Sequence, residues 1–303
     1  MDLKDIVGHL HDDNEALMLL SLLNFEAKDW PTLAKLGKPK ALLESELISR
    51  ALSDLFANEP ALIPILRELR SLLDMFYEQD GSLLTMHNCP ESRLFRAPKA
   101  PLLFYVRFKM SLANIVPAVA IVGSRAASLL GQKQSAELAT ELARQNFNVI
   151  SGGALGIDSA AHRGALKANG STVIVSGVLC SLRDDELSMR MRANYSDRCA
   201  IVYPFGPFIP QQKYMFVERN RFVAAMADAL IVVQGQKGSG TLHTVKDAKR
   251  LSIPIFAVPG SLDDPLSLVP NMLISSGEAR AIVDFEQDFR ELFVLKSAHK
   301  RVR

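Results

Sequence analysis

The chain has 303 residues, 48% of them hydrophobic, and sets 35 lysines and arginines against 33 aspartates and glutamates for a formal net charge of +2. Such a chain can bury a full core and hold two domains, but it is too evenly charged to act as a polycation, so any nucleic-acid surface must be a local patch. Three scattered cysteines without CxxC spacing argue against a cysteine-rich zinc site or a disulfide scaffold; no apolar run reaches the ~18 residues needed to span a bilayer. The opening Met1-Asp-Leu-Lys-Asp5 lacks the basic-then-apolar shape of a secretion signal, and a cytoplasmic protein with no membrane partner is expected.

Residues 1–80 read as a small all-α domain. Leucine-rich runs at helical spacing cover Leu17–Leu23, Leu33–Leu43, Leu47–Phe56 and Leu62–Phe76, broken by Pro31, Pro39 and Pro60. Leu33-Ala-Lys-Leu-Gly37 has the look of a helix–hairpin–helix turn, and equally of an ordinary helix C-cap. Trp30 reads as core. Residues 81–117 are irregular and rich in proline, a linker plus an added sheet edge, with one strand expected over Leu102–Arg107.

From 118 to 290 strands alternate with helices. Val119–Val122 is a short, wholly apolar run, the mark of a strand buried on both faces. The helix-competent run Ser135–Arg144 and a second strand, Phe147–Ile150, complete a βαβ unit. Further strands are expected at Thr172–Val175, Ala229–Val233 and Ile255–Val258, with weaker signals at Val202–Phe205 and Ala281–Val283. This alternation implies a mostly parallel sheet with right-handed crossovers and helices on both faces. Residues 291–303 form a basic tail, of which Lys296–Arg303 reads as a frayed, solvated end.

In such a sheet ligands bind where the strands end at their carboxyl edge, so informative residues should fall there. The first strand ends at Gly123-Ser124-Arg125, where glycine admits close approach and arginine can grip an anion with two parallel bonds. The second runs into Ser151-Gly152-Gly153-Ala-Leu-Gly156-Ile-Asp158, a turn whose backbone N–H groups suit phosphate. Asp158 and His162 share a helix face. They read either as part of a Ser–His–Asp group or as a charge stabilising the helix start with its hydrogen-bond partner. Arg219-Asn220-Arg221 stands before an apolar run, with Phe216 close by. Gln234-Gly-Gln-Lys237-Gly238-Ser239-Gly240-Thr241 is a third glycine-rich strand-to-helix turn. Loops carrying Arg125, Arg219, Arg221 and Lys237 at one edge make a concave basic phosphate site.

The ordered set Gly-Ser-Arg, Ser-Gly-Gly-Ala-x-Gly-Ile-Asp-x-x-Ala-His, Arg-Asn-Arg, Gly-Ser-Gly-Thr and Val-Pro-Gly resembles the DNA-processing protein A family (DprA, also called Smf). The likeness runs from about Ser82 to Val283, with Ser128-Leu-Leu-Gly131 and Asn271–Gly277 fitting its flanks. It implies an extended Rossmann-like domain that binds and protects single-stranded DNA, loads the recombinase RecA, dimerises, and turns nothing over. No catalytic residue, cofactor or metal is implied. Carried onto this chain, Gly123, Ser124, Arg125, Ser151, Gly152 and Gly153 would form the phosphate pocket. Arg219, Asn220 and Arg221 would flank it, Phe216 would stack on a base, and Lys237 with Gly238, Ser239, Gly240 and Thr241 would close the rim. The chain departs from the family's pattern over Val178–Arg192, at Val202-Tyr203 and at Pro270, and its end at Arg303 leaves no room for the C-terminal winged-helix-like domain that some members carry.

Two alternatives use the same pocket. Gly238–Thr241 is similar to a loop of the nucleoside-monophosphate phosphoribohydrolases of the LOG type, although Leu242–Asp247 lacks the glutamate such enzymes place at the helix start. A sensor of a nucleotide-derived signal is the other.

Overall fold

A computed structural model describes residues 12–23, 25–58, 68–112, 117–177, 197–206 and 211–288, together with Leu10, Pro64, Ile115, Leu179, Asn194 and Tyr195. The basic tail, and Val178–Arg192 apart from Leu179, lie outside the described residues. The chain divides into two compact units, one of residues 1–108, 177–193 and 202–212, the other of residues 109–176, 194–201 and 213–303.

Among the described residues the first helix of the first unit is α1 (Asp13–Ser21), whose Ala16, Leu17, Met18, Leu19 and Leu20 are all fully buried. A helix apolar on every side has to be central. Asp12 caps it by accepting from the Glu15 N–H at 2.9 Å. The run Leu33–Leu43, read as broken by Pro39, is two helices, α2 (Trp30–Leu36) and α3 (Pro39–Leu43), parted at Gly37, the C-cap of α2. Pro39 has no N–H to continue the ladder, so the chain restarts there. Helices α4 (Glu46–Asn58) and α5 (Leu69–Glu78) follow. Buried Glu15 accepts from the Arg70 guanidinium and from the Tyr77 hydroxyl of α5, which pairs the carboxylate inside the helical layer. Trp30 is half-buried and stands edge-on to His87, with ring centroids 6.1 Å apart, rather than filling the core. The stretch expected to be irregular contains strand β1 (Gly81–Thr85), paired antiparallel with β2 (Leu103–Arg107) in the register Gly81 to Arg107 and Thr85 to Leu103. Its Leu83, Leu84 and Thr85 are all buried, so no alternation betrayed it.

The second unit holds the α/β layers. In chain order these are β3 (Ala118–Val122), α6 (Leu129–Arg144), β4 (Asn148–Ser151), α7 (Ile157–Lys167), β5 (Thr172–Val175) and β6 (Cys199–Tyr203), the last shared with the first unit. Short helices α8 (Met215–Glu218) and α9 (Asn220–Met226) lead into β7 (Ala229–Val232), α10 (Thr241–Arg250), β8 (Ile255–Ala257), α11 (Leu268–Ser275), β9 (Arg280–Ala281) and α12 (Phe285–Asp288). Every expected strand from residue 118 onward is present, with ends shifted by a few residues. Strand β6 starts at Cys199 because Cys199-Ala-Ile is itself apolar and buried. Helix α6 begins well before Ser135, at a Ser128 N-cap that accepts from the Gly131 N–H.

The strands run in the order β6-β5-β4-β3-β7-β8-β9, and each neighbouring pair from β5 to β9 is parallel. The chain winds outward from β3 through β4 to β5, then later from β7 through β8 to β9. Right-handed crossovers in opposite directions place the two helix sets on opposite faces, and the order reverses between β3 and β7. Val119 and Ile121 pack into one core with Ala139, Leu142, Ile157, Ala161 and Phe256. Among the described residues no helix is long and apolar enough to cross a membrane.

Because Ile121 is fully buried in the central strand, Ile121→Ala should cost about 2–5 kcal/mol of unfolding free energy in urea denaturation. Leu262→Ala, at a side chain 93% exposed, should change it by under ~0.5 kcal/mol.

Candidate functional site

At the point where the strand order reverses, a cavity of about 600 Å³ opens among the loops that follow β3, β4 and β7 and the junction of α8 with α9. Three backbone contacts draw these loops together. The Ser124 N–H donates to the Gln234 carbonyl at 2.8 Å, and the Ile157 N–H donates to the Ser124 carbonyl at 3.2 Å. Gly156, with φ at +79°, lies so close that a Cβ would stand 2.3 Å from the Ser124 carbonyl oxygen. The Asn220 amide reaches the Gly240 carbonyl at 3.4 Å and ties the α8–α9 junction to the third loop.

Ten of the sequence-predicted residues line this cavity: Gly123, Ser124, Arg125, Gly152, Phe216, Arg219, Asn220, Ser239, Gly240 and Thr241. Ser151, Gly153, Arg221, Lys237 and Gly238 do not. Ser151 is buried in β4 and donates its hydroxyl to the Ile121 carbonyl at 2.6 Å. Arg221 pairs with Glu218 and lies over the Phe222 ring, 4.7 Å from its centre. Lys237 and Gly238 sit at the exposed tip of their turn, and Gly153 is exposed beside Ile174. Lys213 lines the cavity unforeseen. It is a lone lysine with no glycine-rich loop to flag it, and only the fold brings it there.

The cations differ sharply in placement. Arg125 is exposed, and among the described residues no hydrogen bond or ion pair holds its guanidinium. Arg219 is only 4% exposed. Its guanidinium donates to the carbonyls of Gly152 and Val175 and, at 3.3 Å, to that of Phe216. It therefore fastens the α8–α9 junction to the ends of β4 and β5. Gly152 makes this possible, since a Cβ there would stand 2.3 Å from the Arg219 Cζ.

Asp158 lies beside this cation. It accepts from the Ala154 N–H at 3.4 Å, and burial pushes its carboxyl above the ordinary value while the charge of Arg219 pulls it back. Burial also lowers Arg219, with Arg125 acting in the same sense and Asp158 opposing, yet a guanidinium keeps its proton in proteins. His162 does not pair with Asp158. Its Nδ1 stands 2.7 Å from the Thr172 hydroxyl, which itself donates to the Val149 carbonyl, so Nδ1 carries the hydrogen, and the buried Nε2 has no partner among the described residues. Burial, then the charges of Arg219 and Arg163, push His162 down to about 3. Ser151, His162 and Asp158 thus form no relay. The Ser151 hydroxyl lies within reach of the Asp158 carboxyl, but His162 joins neither.

Chemically, the cavity offers one exposed guanidinium, an exposed lysine, backbone close to a flat glycine surface, the start of α10 and a half-buried phenyl ring. That set fits an anion carrying an attached ring system.

Residues 83–293 match the family model of DNA recombination-mediator protein A. Over 193 residues the chain is 32% identical to DNA processing protein DprA of Bacillus subtilis, covering 63% of this chain and 64% of that relative, which is under two thirds of its length. It is similar to the X-ray structure of DNA processing protein A from Streptococcus pneumoniae, with TM-score 0.61 and 30% identity, covering 71% of this chain and 75% of that one. It is also similar to DNA processing protein A from Helicobacter pylori, a structure described for its single-stranded DNA binding mode, with TM-score 0.60 and 25% identity, covering 71% and 97%.

Gly152→Ala should lower unfolding free energy by at least about 2 kcal/mol, because Arg219 must leave its carbonyls and remain buried without them. Gly240→Ala, where a Cβ meets nothing within 4 Å, should stay within ~0.5 kcal/mol. His162 gives a pH signature. Its folded pKa lies below the unfolded one, so its contribution is complete above about 6.5 and is lost as pH falls towards about 3. Across that window wild type should lose stability more steeply than His162→Gln by roughly 1 kcal/mol per pH unit, as read by denaturation at each pH. Asp158, whose shift acts in the opposite sense, is common to both proteins and cancels.

Proposed function

The chain belongs to the DNA recombination-mediator protein A family, and from that premise we propose that it is a single-stranded DNA-binding protein acting in recombination without turnover. The observation that carries the reading is Arg125. It is an exposed guanidinium with no counter-charge among the described residues, set on the loop after the central strand at the mouth of a cavity floored by glycine backbone. A phosphate diester supplies the missing negative charge, and the two parallel N–H donors of arginine match its oxygens. Lys213 adds a second exposed cation, and Arg219 contributes a fixed positive field from behind the wall.

Preference for an unpaired strand follows from the shape. The cavity is concave, and Phe216 on its wall offers a ring face to a base. An unpaired nucleotide can turn its phosphate inward and lay its base on that ring, adding roughly 1–3 kcal/mol per base. A duplex keeps its bases stacked on one another. In this reading residues 118–290 hold the DNA and residues 1–80 are a separate helical domain. The protein works in the cytoplasm as a homodimer that shields the strand and hands it to RecA. A nucleotide-cleaving alternative asks for a carboxylate at the reacting bond. Asp158, the acid on the wall, faces Arg219 and is hydrogen-bonded to Ala154, which supports binding over turnover.

Fluorescence anisotropy with labelled oligo-dT, repeated over a salt series, tests the reading. Wild type should bind it more tightly than a duplex of equal length. Arg125→Ala should weaken binding about 10-fold and reduce the salt slope by about one. Equal affinity for single strand and duplex, or an unaltered slope, would count against it.

A further inference from the structure

Arg125 gains its value from being held still, and Gln234 is the residue that grips its loop at both ends. Gln234 follows β7 and is only 5% exposed. Its backbone carbonyl accepts from the Ser124 N–H at 2.8 Å. Its side chain reaches the far end of the same loop, where Oε1 accepts from the Ser128 N–H at 3.0 Å and Nε2 donates to the Ser128 hydroxyl oxygen at 2.9 Å. That oxygen also caps α6 by accepting from the Gly131 N–H at 3.0 Å. Gln234 therefore pins both ends of the segment Ser124–Ser128, one through its backbone carbonyl and the other through its buried side-chain amide, beside the Ile157 N–H on the Ser124 carbonyl and the Gln132 amide on the Ala127 carbonyl at 3.2 Å. The fit is close: a Cβ on Gly131 would stand 2.2 Å from the Gln234 Oε1.

We infer that Gln234 is a positioning residue that sets the Arg125 loop for phosphate, an inference that rests on the DNA-binding reading of the cavity. The side chain must accept and donate at the same time, which a primary amide does and an apolar side chain does not. A carboxylate would accept only, and would bury a negative charge at the root of the cationic loop. Without the amide the loop keeps its glycine hinge at Gly123 and loses its anchor at Ser128, so Arg125 samples positions away from the cavity mouth. Binding then carries the cost of ordering it.

The test is a double-mutant cycle in the full chain, with oligo-dT as the probe. Gln234→Met keeps length and removes both side-chain bonds. It should weaken binding about 5- to 10-fold and flatten the salt slope, as Arg125→Ala does. In the Arg125→Ala background the same change should have almost no further effect, because Gln234 acts through that arginine. A purely structural role would lower the melting temperature and add equally in both backgrounds. Additive losses, or unchanged affinity in Gln234→Met, overturn the inference while the DNA-binding reading stands. If wild type itself fails to bind oligo-dT, that reading falls, and hydrogen exchange of the free protein decides the clamp alone. Faster exchange over residues 124–131 in Gln234→Met supports it, and unchanged exchange rejects it.

Discussion

Inside the second unit a guanidinium lies where one would not be placed at random, in contact with backbone carbonyls from β4 and β5 and almost wholly out of water. Burying a cation is costly unless every donor is matched and a counter-charge is near. At Arg219, Nη1 donates to the carbonyls of Gly152 and Val175, Nε donates to that of Phe216, and the carboxyl of Asp158 supplies an opposite charge nearby. The glycine-rich turn after β4 is shaped by this cation: a side chain at Gly152 would occupy its space. The cavity wall is therefore built around an internal charge, and the pocket's geometry follows from satisfying it.

The consequence is a division of labour among residues that look alike in the sequence. Arg219 and Arg221 are two positions apart, yet one braces strands from within and the other lies against Glu218 and Phe222. Arg125 remains outside, with nothing among the described residues to neutralise it. A ligand site needs charge that the protein has not already consumed, and Arg125 meets that condition best. The buried histidine obeys the same logic in reverse. Deprived of solvent and facing cations, His162 stays neutral and serves as a hydrogen-bonded spacer between α7 and β5 rather than a base.

The location of the site is a property of topology. Parallel strands with right-handed crossovers leave a crevice where the winding direction reverses, and in this fold the reversal falls between β3 and β7. Loops from β3, β4 and β7 then have no choice but to meet there. Glycine at Gly156 lets two of them touch through their backbones.

The apolar strand runs, the glycine-rich turns that end them and the edge on which those turns lie were legible along the chain, because each is a local pattern of hydrophobicity and backbone freedom. Strand β1 was not, since a short run buried on both sides has no alternation to announce it. Nor were Gln234, whose amide acts on a serine 106 residues away, and Lys213, which no motif marks. Which arginine faces inward was settled only in three dimensions. The carbonyls that hold Arg219 come from positions 67 and 44 residues distant, and nothing in the local sequence around Arg219-Asn220-Arg221 encodes their presence. By itself the sequence determined where strands end and backbone can bend; the tertiary structure decided which charges those bends would neutralise and which would be left to a ligand, because burial and pairing are properties of neighbours in space.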